Sequence, residues 1–168
     1  MKTLIVIDMQ KDFIDGALGT KEAIAIVPHV KKKIGEYARR HDEIIFTRDT
    51  HTENYMETSE GKHLPVPHCL KGTPGWEIYE GLYVPGAEII DKPSFGWMGW
   101  GGRQFDEIEI VGLCTDICVV SNALILKALY PETEITVDAS CCAGVSPDTH
   151  QAALDTMRCC QIQVTEGK

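Results

Sequence analysis

The chain has 168 residues, a length typical of a single domain built around one hydrophobic core. Its net charge of −9 argues against a nucleic-acid-binding protein, because such proteins concentrate Lys and Arg on one face. Apolar residues make up 43% of the chain, yet no apolar run reaches the length needed to span a membrane. We therefore expect one cytoplasmic domain, residues 1–168, with neither nucleic acid nor a membrane as partner.

Six segments rich in β-branched residues predict strands, and helix-length segments separate most of them. The predicted strands are TLIVID (3–8), EIIFTRD (43–49), AEIIDKP (87–93), EIEIVG (107–112), EITVDA (134–139) and QIQVTE (161–166). The predicted helices are residues 21–40, 116–130 and 146–160, with a restart or kink at Pro28 in the first. This alternation predicts an α/β protein with three α/β/α layers and a six-stranded, mainly parallel sheet.

Two segments depart from this alternation. Residues 49–80 form a long insertion rich in His, Glu, Pro and Gly, and irregular segments of this length are usually functional. Residues 93–104 stand where a helix is expected, but the glycines and tryptophans of segment 96–102 disfavour one, and the role of that segment stays open.

The seven cysteines predict thiols rather than disulfides. Cys141 and Cys142 are adjacent, as are Cys159 and Cys160, which is poor geometry for intrachain bonds. We expect most of the seven to be buried and free.

Three chemically capable residues follow the predicted strands. Asp8 closes the first strand, Lys92 closes the third, and Cys118 follows the fourth. Ligands of open α/β sheets bind beyond the carboxyl ends of the strands, so these side chains are expected at one edge of the sheet. An acid or base, a cation and a nucleophile would then meet there.

Cys118 stands at the start of a predicted helix. Thr115 or Asp116 could cap that helix, and the free N–H groups of its first turn would favour a thiolate at Cys118. Lys92 would strengthen this effect, and the same N–H groups could bind an oxyanion. The alternative is that Cys118 is a small buried residue that only packs the helix.

Six motifs occur in an order that resembles a known family. They are LIVIDMQKDF, RDTH, PHCLKGTPGWEI, DKPSF, IVGLCTDICV and AGVSPDTHQAAL. Together they cover nearly the whole chain and resemble the isochorismatase-like cysteine hydrolases, specifically the nicotinamidase/pyrazinamidase type with its Rossmann-like topology. The resemblance implies that Asp8, Lys92 and Cys118 form a catalytic triad.

The resemblance also implies the surroundings of the reacting carbonyl. It predicts a cis peptide bond between Leu113 and Cys114, and an oxyanion hole made of the backbone N–H groups of Cys114 and Cys118. Phe13 and Leu113 are the predicted substrate-binding residues, although an ordinary core aromatic is nearly as good an interpretation of Phe13.

A second group of residues has the chemistry of a metal site. Asp49 and His51 alternate along an extended segment, so both side chains point the same way, and His68 could complete a set suited to Zn, Mn or Fe. The resemblance implies the same site with one further His or Glu ligand. Glu60 and His63 compete for that position, and we favour Glu60. Otherwise, Asp49 caps a turn and the histidines are solvated.

The resulting prediction is an enzyme that hydrolyses a small carboxamide to an acid and ammonia through a thioester, with nicotinamide as the first substrate to test. The family analogy adds a divalent metal, first of all Zn, and a homo-oligomer, either a dimer or larger. Nicotinamidases commonly carry an aromatic residue where this chain has only Leu64, Pro65 and Val66. Two alternatives therefore remain: a metal-independent hydrolase of carbamoyl, ureido or other small amides, and a non-catalytic redox sensor in which Cys114 resolves Cys118.

Overall fold

A sheet of six strands forms the middle layer of the protein, whose computed structural model describes residues 1–167. The strands are β1 (Lys2–Ile7), β2 (Glu43–Asp49), β3 (Glu88–Lys92), β4 (Glu107–Leu113), β5 (Glu134–Ala143) and β6 (Gln163–Thr165). They lie in the order β3-β2-β1-β4-β5-β6, and all five pairings of neighbours are parallel. The predicted six-stranded sheet is confirmed, and it is parallel throughout.

Helices cover both faces of the sheet, which confirms the three-layer α/β architecture. The helices are α1 (Lys11–Ile14), α2 (Lys21–Arg40), α3 (Ser59–His63), α4 (Val120–Leu129) and α5 (Pro147–Cys159). Buried residues of α2 pack in the core on one face, and those of α4 and α5 pack in the core on the other. No helix among residues 1–167 is long and apolar enough to cross a membrane.

Helix α2 continues through Pro28, so the predicted restart at this residue is wrong. Thr20 caps the helix by accepting a hydrogen bond from the Ala23 N–H. Pro28 lies on the exposed face of the helix, where the hydrogen bond lost at its missing N–H is not in the core. The opposite face of α2 buries apolar side chains against the sheet, which offsets the cost of the proline.

Strand β5 extends four residues beyond its predicted end at Ala139 and finishes at Ala143. The extension contains Cys141 and Cys142, both buried, and it pairs with the end of β4 after a register shift. Free thiols were predicted to be mostly buried, and four of the seven are: Cys69, Cys118, Cys141 and Cys142. Cys159 and Cys160 are exposed at the end of α5.

The two irregular segments consist of short turns. The insertion after β2 contains α3 and two single 3₁₀ turns, Tyr55–Glu57 and Pro74–Trp76. The Trp/Gly segment forms one 3₁₀ turn, Met98–Trp100, in place of a crossover helix. Both predictions of irregular structure are therefore confirmed in outline, and the insertion brings Glu60 and His68 close to Asp49 at the carboxyl end of β2.

Candidate active site

Asp8, Lys92 and Cys118 meet at the carboxyl edge of the sheet. Lys92 Nζ lies 2.6 Å from Asp8 Oδ2, and both side chains are fully buried. Cys118 is 5% exposed, and its thiol lies close enough to Asp8 and Lys92 that the charges of both act on its pKa. The structure thus brings together all three residues of the predicted triad, which lie far apart in the chain.

Backbone and side-chain contacts hold the buried pair in place. Asp8 follows β1 with a left-handed backbone, φ 48°. The Thr47 hydroxyl donates to Asp8 Oδ1 at 2.6 Å, and Lys92 Nζ donates to the Ser94 carbonyl at 3.0 Å. Thr47 was not identified from the sequence, because nothing local distinguishes it from any other threonine in a strand.

The electrostatics of the site favour a neutral thiol at Cys118. Burial raises the pKa of the Cys118 thiol well above its usual value, the negative charge of Asp8 adds to this, and Lys92 opposes it without prevailing. The expectation of a stabilised thiolate is therefore wrong for the substrate-free protein, since desolvation outweighs the cation. A buried neutral thiol also lacks the accessible thiolate on which a peroxide sensor depends.

Asp8 and Lys92 are suited to moving the thiol proton. Burial raises the pKa of the Asp8 carboxyl, which makes its carboxylate a stronger base, although Lys92 opposes this shift. Burial disfavours the charge on Lys92, but the neighbouring Asp8 carboxylate more than compensates and raises the pKa of the ammonium group. A cation therefore remains beside Cys118 at neutral pH.

The segment that carries Cys118 begins as a π-helical turn, Thr115–Val119, rather than as the first turn of an α-helix. Neither Thr115 nor Asp116 caps it, contrary to expectation. The Thr115 hydroxyl instead bonds His150 Nδ1 at 2.7 Å, and the Asp116 carboxylate accepts from the Val145 N–H at 3.1 Å. Both residues are therefore used to attach the turn to the start of α5.

The peptide bond between Leu113 and Cys114 is cis, as expected. The Cys114 carbonyl accepts from the N–H groups of Ile117 and Val119 at 3.1 and 3.0 Å. Because both bonds go to the Cys114 carbonyl, the turn bends tightly around Cys114. The backbone N–H groups of Cys114 and Cys118, the predicted oxyanion hole, thus belong to one short, tightly bent segment.

A compact group of four possible metal ligands adjoins the triad. One ligand atom from each of its members lies within 4.8 Å of all the others, and the members are Asp49, His51, Glu60 and His68. Asp49 Oδ2 lies 2.8 Å from His51 Nε2 and 3.4 Å from His68 Nε2. Glu60 Oε1 lies 3.5 Å from His51 Nε2 and 3.6 Å from His68 Nε2.

The chemistry of these four residues fits a divalent metal ion. Two imidazole nitrogens and two carboxylates form a donor set that suits Zn, Mn or Fe. His68 Nδ1 lies 2.7 Å from the Val66 carbonyl, which fixes the tautomer whose Nε2 lone pair faces the group. Asp49 Oδ1 is buried without a hydrogen-bond partner among the described residues, although Lys92 Nζ lies 3.9 Å away.

His63, the alternative ligand to Glu60, lies outside this group. Its side chain is exposed at the end of α3, where Nδ1 lies 2.8 Å from the Ser59 carbonyl. Glu60 stands on the same short helix but is turned toward the histidines. The structure thus brings Glu60, and not His63, to the other three candidates.

A family model described as the Isochorismatase domain matches residues 2–168. The chain belongs to this family. The resemblance inferred from the six motifs is confirmed. The nicotinamidase/pyrazinamidase of Mycobacterium tuberculosis is 30% identical to this isochorismatase-family protein, over 98% of both chains.

Solved structures share the fold of this isochorismatase-family protein. A nicotinamidase/pyrazinamidase from Bacillus subtilis is 26% identical with a TM-score of 0.85, and the match covers 99% of this chain and 100% of that one. The pyrazinamidase of Pyrococcus horikoshii in complex with zinc is 30% identical with a TM-score of 0.82, over 98% of both chains.

The two residues predicted to bind substrate differ in their surroundings. The half-buried Phe13 ring lies next to the possible metal ligands, with its centroid 5.4 Å from that of His68. Leu113 is 1% exposed, and its side chain packs in the core on the α2 face. Phe13 is therefore placed to contact a ligand, whereas the Leu113 side chain packs away from solvent.

Two further polar residues organise the metal-ligand group of this family member. Buried Gln10 bonds both sides of Asp49: its Oε1 accepts from the Asp49 N–H at 2.8 Å, and its Nε2 donates to the Asp49 carbonyl at 2.9 Å. Asp12 accepts from the N–H of Cys69, next to His68, at 2.8 Å. The role of Gln10 was not identified from the sequence. The one sequence signal for Gln10 is an amide three residues after the end of a buried strand.

Proposed function

We propose that this isochorismatase-family protein is a cysteine amidase of the nicotinamidase type, which hydrolyses a small carboxamide to an acid and ammonia. The observation that carries the proposal is the buried ion pair, 2.6 Å from Lys92 Nζ to Asp8 Oδ2, beside the thiol of Cys118. Burying such a pair has a desolvation cost, and the pair supplies the proton acceptor that a neutral thiol requires.

In the proposed first step, Asp8 takes the proton of the Cys118 thiol while Lys92 stabilises the thiolate as it forms. The sulfur attacks the carboxamide carbon, a C–S bond forms, and the electron pair of the C=O bond moves to oxygen. The backbone N–H groups of Cys114 and Cys118 donate hydrogen bonds to that oxyanion.

In the second step, Asp8 gives its proton to the amide nitrogen and the C–N bond breaks. Ammonia departs, and the acyl group remains bound to Cys118 as a thioester. Asp8 then accepts a proton from water as the water oxygen attacks the thioester carbon. The C–S bond breaks, the acid is released, and the sulfur recovers the proton held by Asp8. One water is consumed and the enzyme returns to its starting state.

We propose that Asp49, His51, Glu60 and His68 hold a divalent metal, with zinc as the first candidate. A metal bound there would supply a Lewis-acidic contact for a lone pair of the substrate. The compact donor set and the partnerless Asp49 Oδ1 support this proposal. Phe13, beside the same group, would contact the planar substrate on one face.

We also propose that residues 1–168 form one domain and that it assembles as a homo-oligomer. The family match over residues 2–168 and the single sheet support the first statement. Exposed apolar side chains in the Trp/Gly segment, Met98 at 78% and nearby Phe95 at 40%, support the second. Light scattering on the purified protein tests the assembly, and a monomeric mass at micromolar concentration would contradict it.

The activity is tested by ammonia release from nicotinamide, pyrazinamide, benzamide and a small ureido compound. We expect turnover of at least one carboxamide, and benzamide, which lacks the ring nitrogen, tests whether a ring lone pair is used. Cys118→Ala should abolish turnover, because it removes the sulfur that forms the proposed thioester. Cys159→Ala, which alters an exposed thiol, is the matched control. Activity that persists in Cys118→Ala would overturn the proposal.

A further inference from the structure

Asn122 makes four hydrogen bonds inside the protein and is 0% exposed. It lies on α4, one turn after Cys118, within an otherwise apolar buried face. Its Nδ2 donates to the Cys118 carbonyl at 2.8 Å and to the Phe95 carbonyl at 3.0 Å. Its Oδ1 accepts from the Trp97 N–H at 3.0 Å and from Trp100 Nε1 at 2.9 Å.

The orientation of this amide is determined by its partners. Both groups near Oδ1 are N–H donors with no acceptor capacity, and both groups near Nδ2 are carbonyl oxygens. Reversing the amide would lose all four bonds at once. The full hydrogen-bonding capacity of Asn122 is therefore satisfied, which is the condition for a buried polar residue to rigidify its surroundings.

The partners of Asn122 belong to the two segments that carry the sulfur and the ammonium group of the proposed reaction. Cys118 supplies one of the carbonyls. The other, from Phe95, follows directly after Ser94, whose carbonyl accepts the hydrogen bond from Lys92 Nζ. Asn122 is thus the connection between the turn that holds the nucleophile and the segment that holds Lys92.

Besides the bonds from Asn122, the backbone between Phe95 and Trp100 has one side-chain hydrogen bond among the described residues: the Tyr130 hydroxyl donates to the Trp100 carbonyl at 2.6 Å. The segment has no helical hydrogen bonds beyond one 3₁₀ turn, and it packs so closely on α4 that a Cβ at Gly96 would lie 2.5 Å from Ile125 Cδ1. Trp97 and Trp100 stack edge to face with centroids 4.8 Å apart. The amide of Asn122 holds the backbone of this segment in the absence of a crossover helix.

We propose that Asn122 is a positioning residue that keeps Cys118 and Lys92 in mutual register through the Phe95–Trp100 segment. The inference rests on the proposed amidase function. An apolar residue of similar volume would fill the same space in α4. Only a side-chain amide can donate two hydrogen bonds and accept two in one plane, and so bond to both segments at once.

The first test is steady-state kinetics of Asn122→Ala on a carboxamide that the wild-type protein hydrolyses. We expect kcat to fall about tenfold or more, with KM within about twofold, because misplacement of the reacting groups acts on the transition state rather than on substrate binding. Trp100→Phe removes one of the four bonds and should lower kcat by a smaller factor, about threefold.

The matched control is Leu126→Ala, which truncates a fully buried side chain of the same helix that takes no part in the four hydrogen bonds of Asn122. Urea unfolding measures the loss of stability in both variants. The two kcat values are then compared after each is corrected for the fraction of folded protein. A kcat for Asn122→Ala within about twofold of wild type, or an equal loss in Leu126→Ala, would overturn the proposal.

A second readout separates this inference from the proposed function. If the wild-type protein releases no ammonia from any amide, the amidase function fails, and alkylation of Cys118 by iodoacetamide still tests the positioning role. Loss of the Lys92 register should lower the extent of Cys118 alkylation, mapped by mass spectrometry, by about threefold or more. An unchanged or higher extent in Asn122→Ala would overturn the role of Asn122.

Discussion

Asp8 and Lys92 form a buried ion pair in which replacement of one residue alone is expected to be destabilising. Each charge is fully buried and depends on the other, with Thr47 and the Ser94 carbonyl as the further partners. Removing one partner leaves the other charge uncompensated in a low-dielectric interior, whereas removing both leaves neither of the two. The pair can therefore be tested for stability separately from catalysis.

We expect Asp8→Asn and Lys92→Met each to lower the free energy of unfolding by about 3–5 kcal/mol. The double variant should recover much of that loss, because neither charge remains. Activity should not recover, and all three variants should lose about 10²-fold or more in kcat. Urea unfolding in the presence of chelator measures the first effect. Additive losses of stability in the double variant would contradict this account.

At the residue scale, sequence position predicted which groups would meet but not their chemical state. Asp8, Lys92 and Cys118 could be nominated because carboxyl ends of parallel strands share an edge. The raised pKa of Cys118 could not be predicted, because it depends on burial that only tertiary packing creates. The same holds for Gln10, whose two hydrogen bonds to the Asp49 backbone depend on the path of both segments in the folded protein.

At the scale of elements, α2 is joined to the sheet by charges as well as by apolar packing. Lys33 Nζ lies 2.7 Å from Glu109 Oε1 on β4 and 2.8 Å from Asp138 Oδ2 on β5. Tyr37 donates its hydroxyl to the other oxygen of Glu109. This network lines a cleft of about 1120 Å³ that none of the candidate active-site residues borders.

The Lys33 network predicts a defined pH dependence of stability. Burial alone would raise the pKa of Asp138, but hydrogen bonds from Lys33 and Ser140 outweigh it and hold this pKa below its ordinary value. Because the folded-state pKa is depressed, the stabilisation is present above the unfolded value of about 4 and is lost as pH falls through the lower folded value.

Lys33→Met should therefore lower the free energy of unfolding by about 1–3 kcal/mol at pH 7. The difference from wild type should shrink between about pH 4 and pH 2, as Asp138 becomes protonated. Urea unfolding across this range measures it. Lys32→Met is the control, because Lys32 is 68% exposed on the same helix and should change stability little. A difference that stays constant with pH would refute the assignment.

Helix boundaries were predicted correctly where local sequence signals determine them. The predictions failed where contacts between distant residues determine the local structure. The start of α2 follows from Thr20, a local cap, and both of its ends were predicted correctly. The π-helical turn at Cys118 was missed because its apolar spacing over five residues resembles that of an α-helix. Thr115 or Asp116 was expected to cap that turn, but Thr115 bonds His150 on α5 and Asp116 bonds the Val145 N–H instead.

At the scale of the whole molecule, the four possible metal ligands join the long insertion to the sheet. Asp49 ends β2, whereas Glu60 and His68 stand far along the insertion. The path of that insertion could not be predicted from the residues, because its turns depend on contacts such as the hydrogen bond from the Cys69 N–H to Asp12. A metal bound there would stabilise the insertion and the fold together.

Metal binding should therefore appear as a change in thermal stability. Adding Zn²⁺ at about 100 times its Kd to chelator-treated protein should raise Tm by roughly 5–10 °C. His68→Ala should abolish the shift and the bound metal measured by mass spectrometry. His63→Ala, an exposed histidine outside the group, should keep both. Equal metal content in the two variants would show that the four-residue group is not the site.

The left-handed φ of 48° at Asp8 affects how any mutational survey of this protein is interpreted. Asparagine and glycine tolerate that conformation, whereas β-branched residues resist it. When the codon for this position is randomised, a variant must therefore first tolerate the left-handed backbone in order to fold, and only then can its catalytic activity be compared. Variants that fail there report on chain geometry, and only those that accumulate as folded protein report on the proton acceptor.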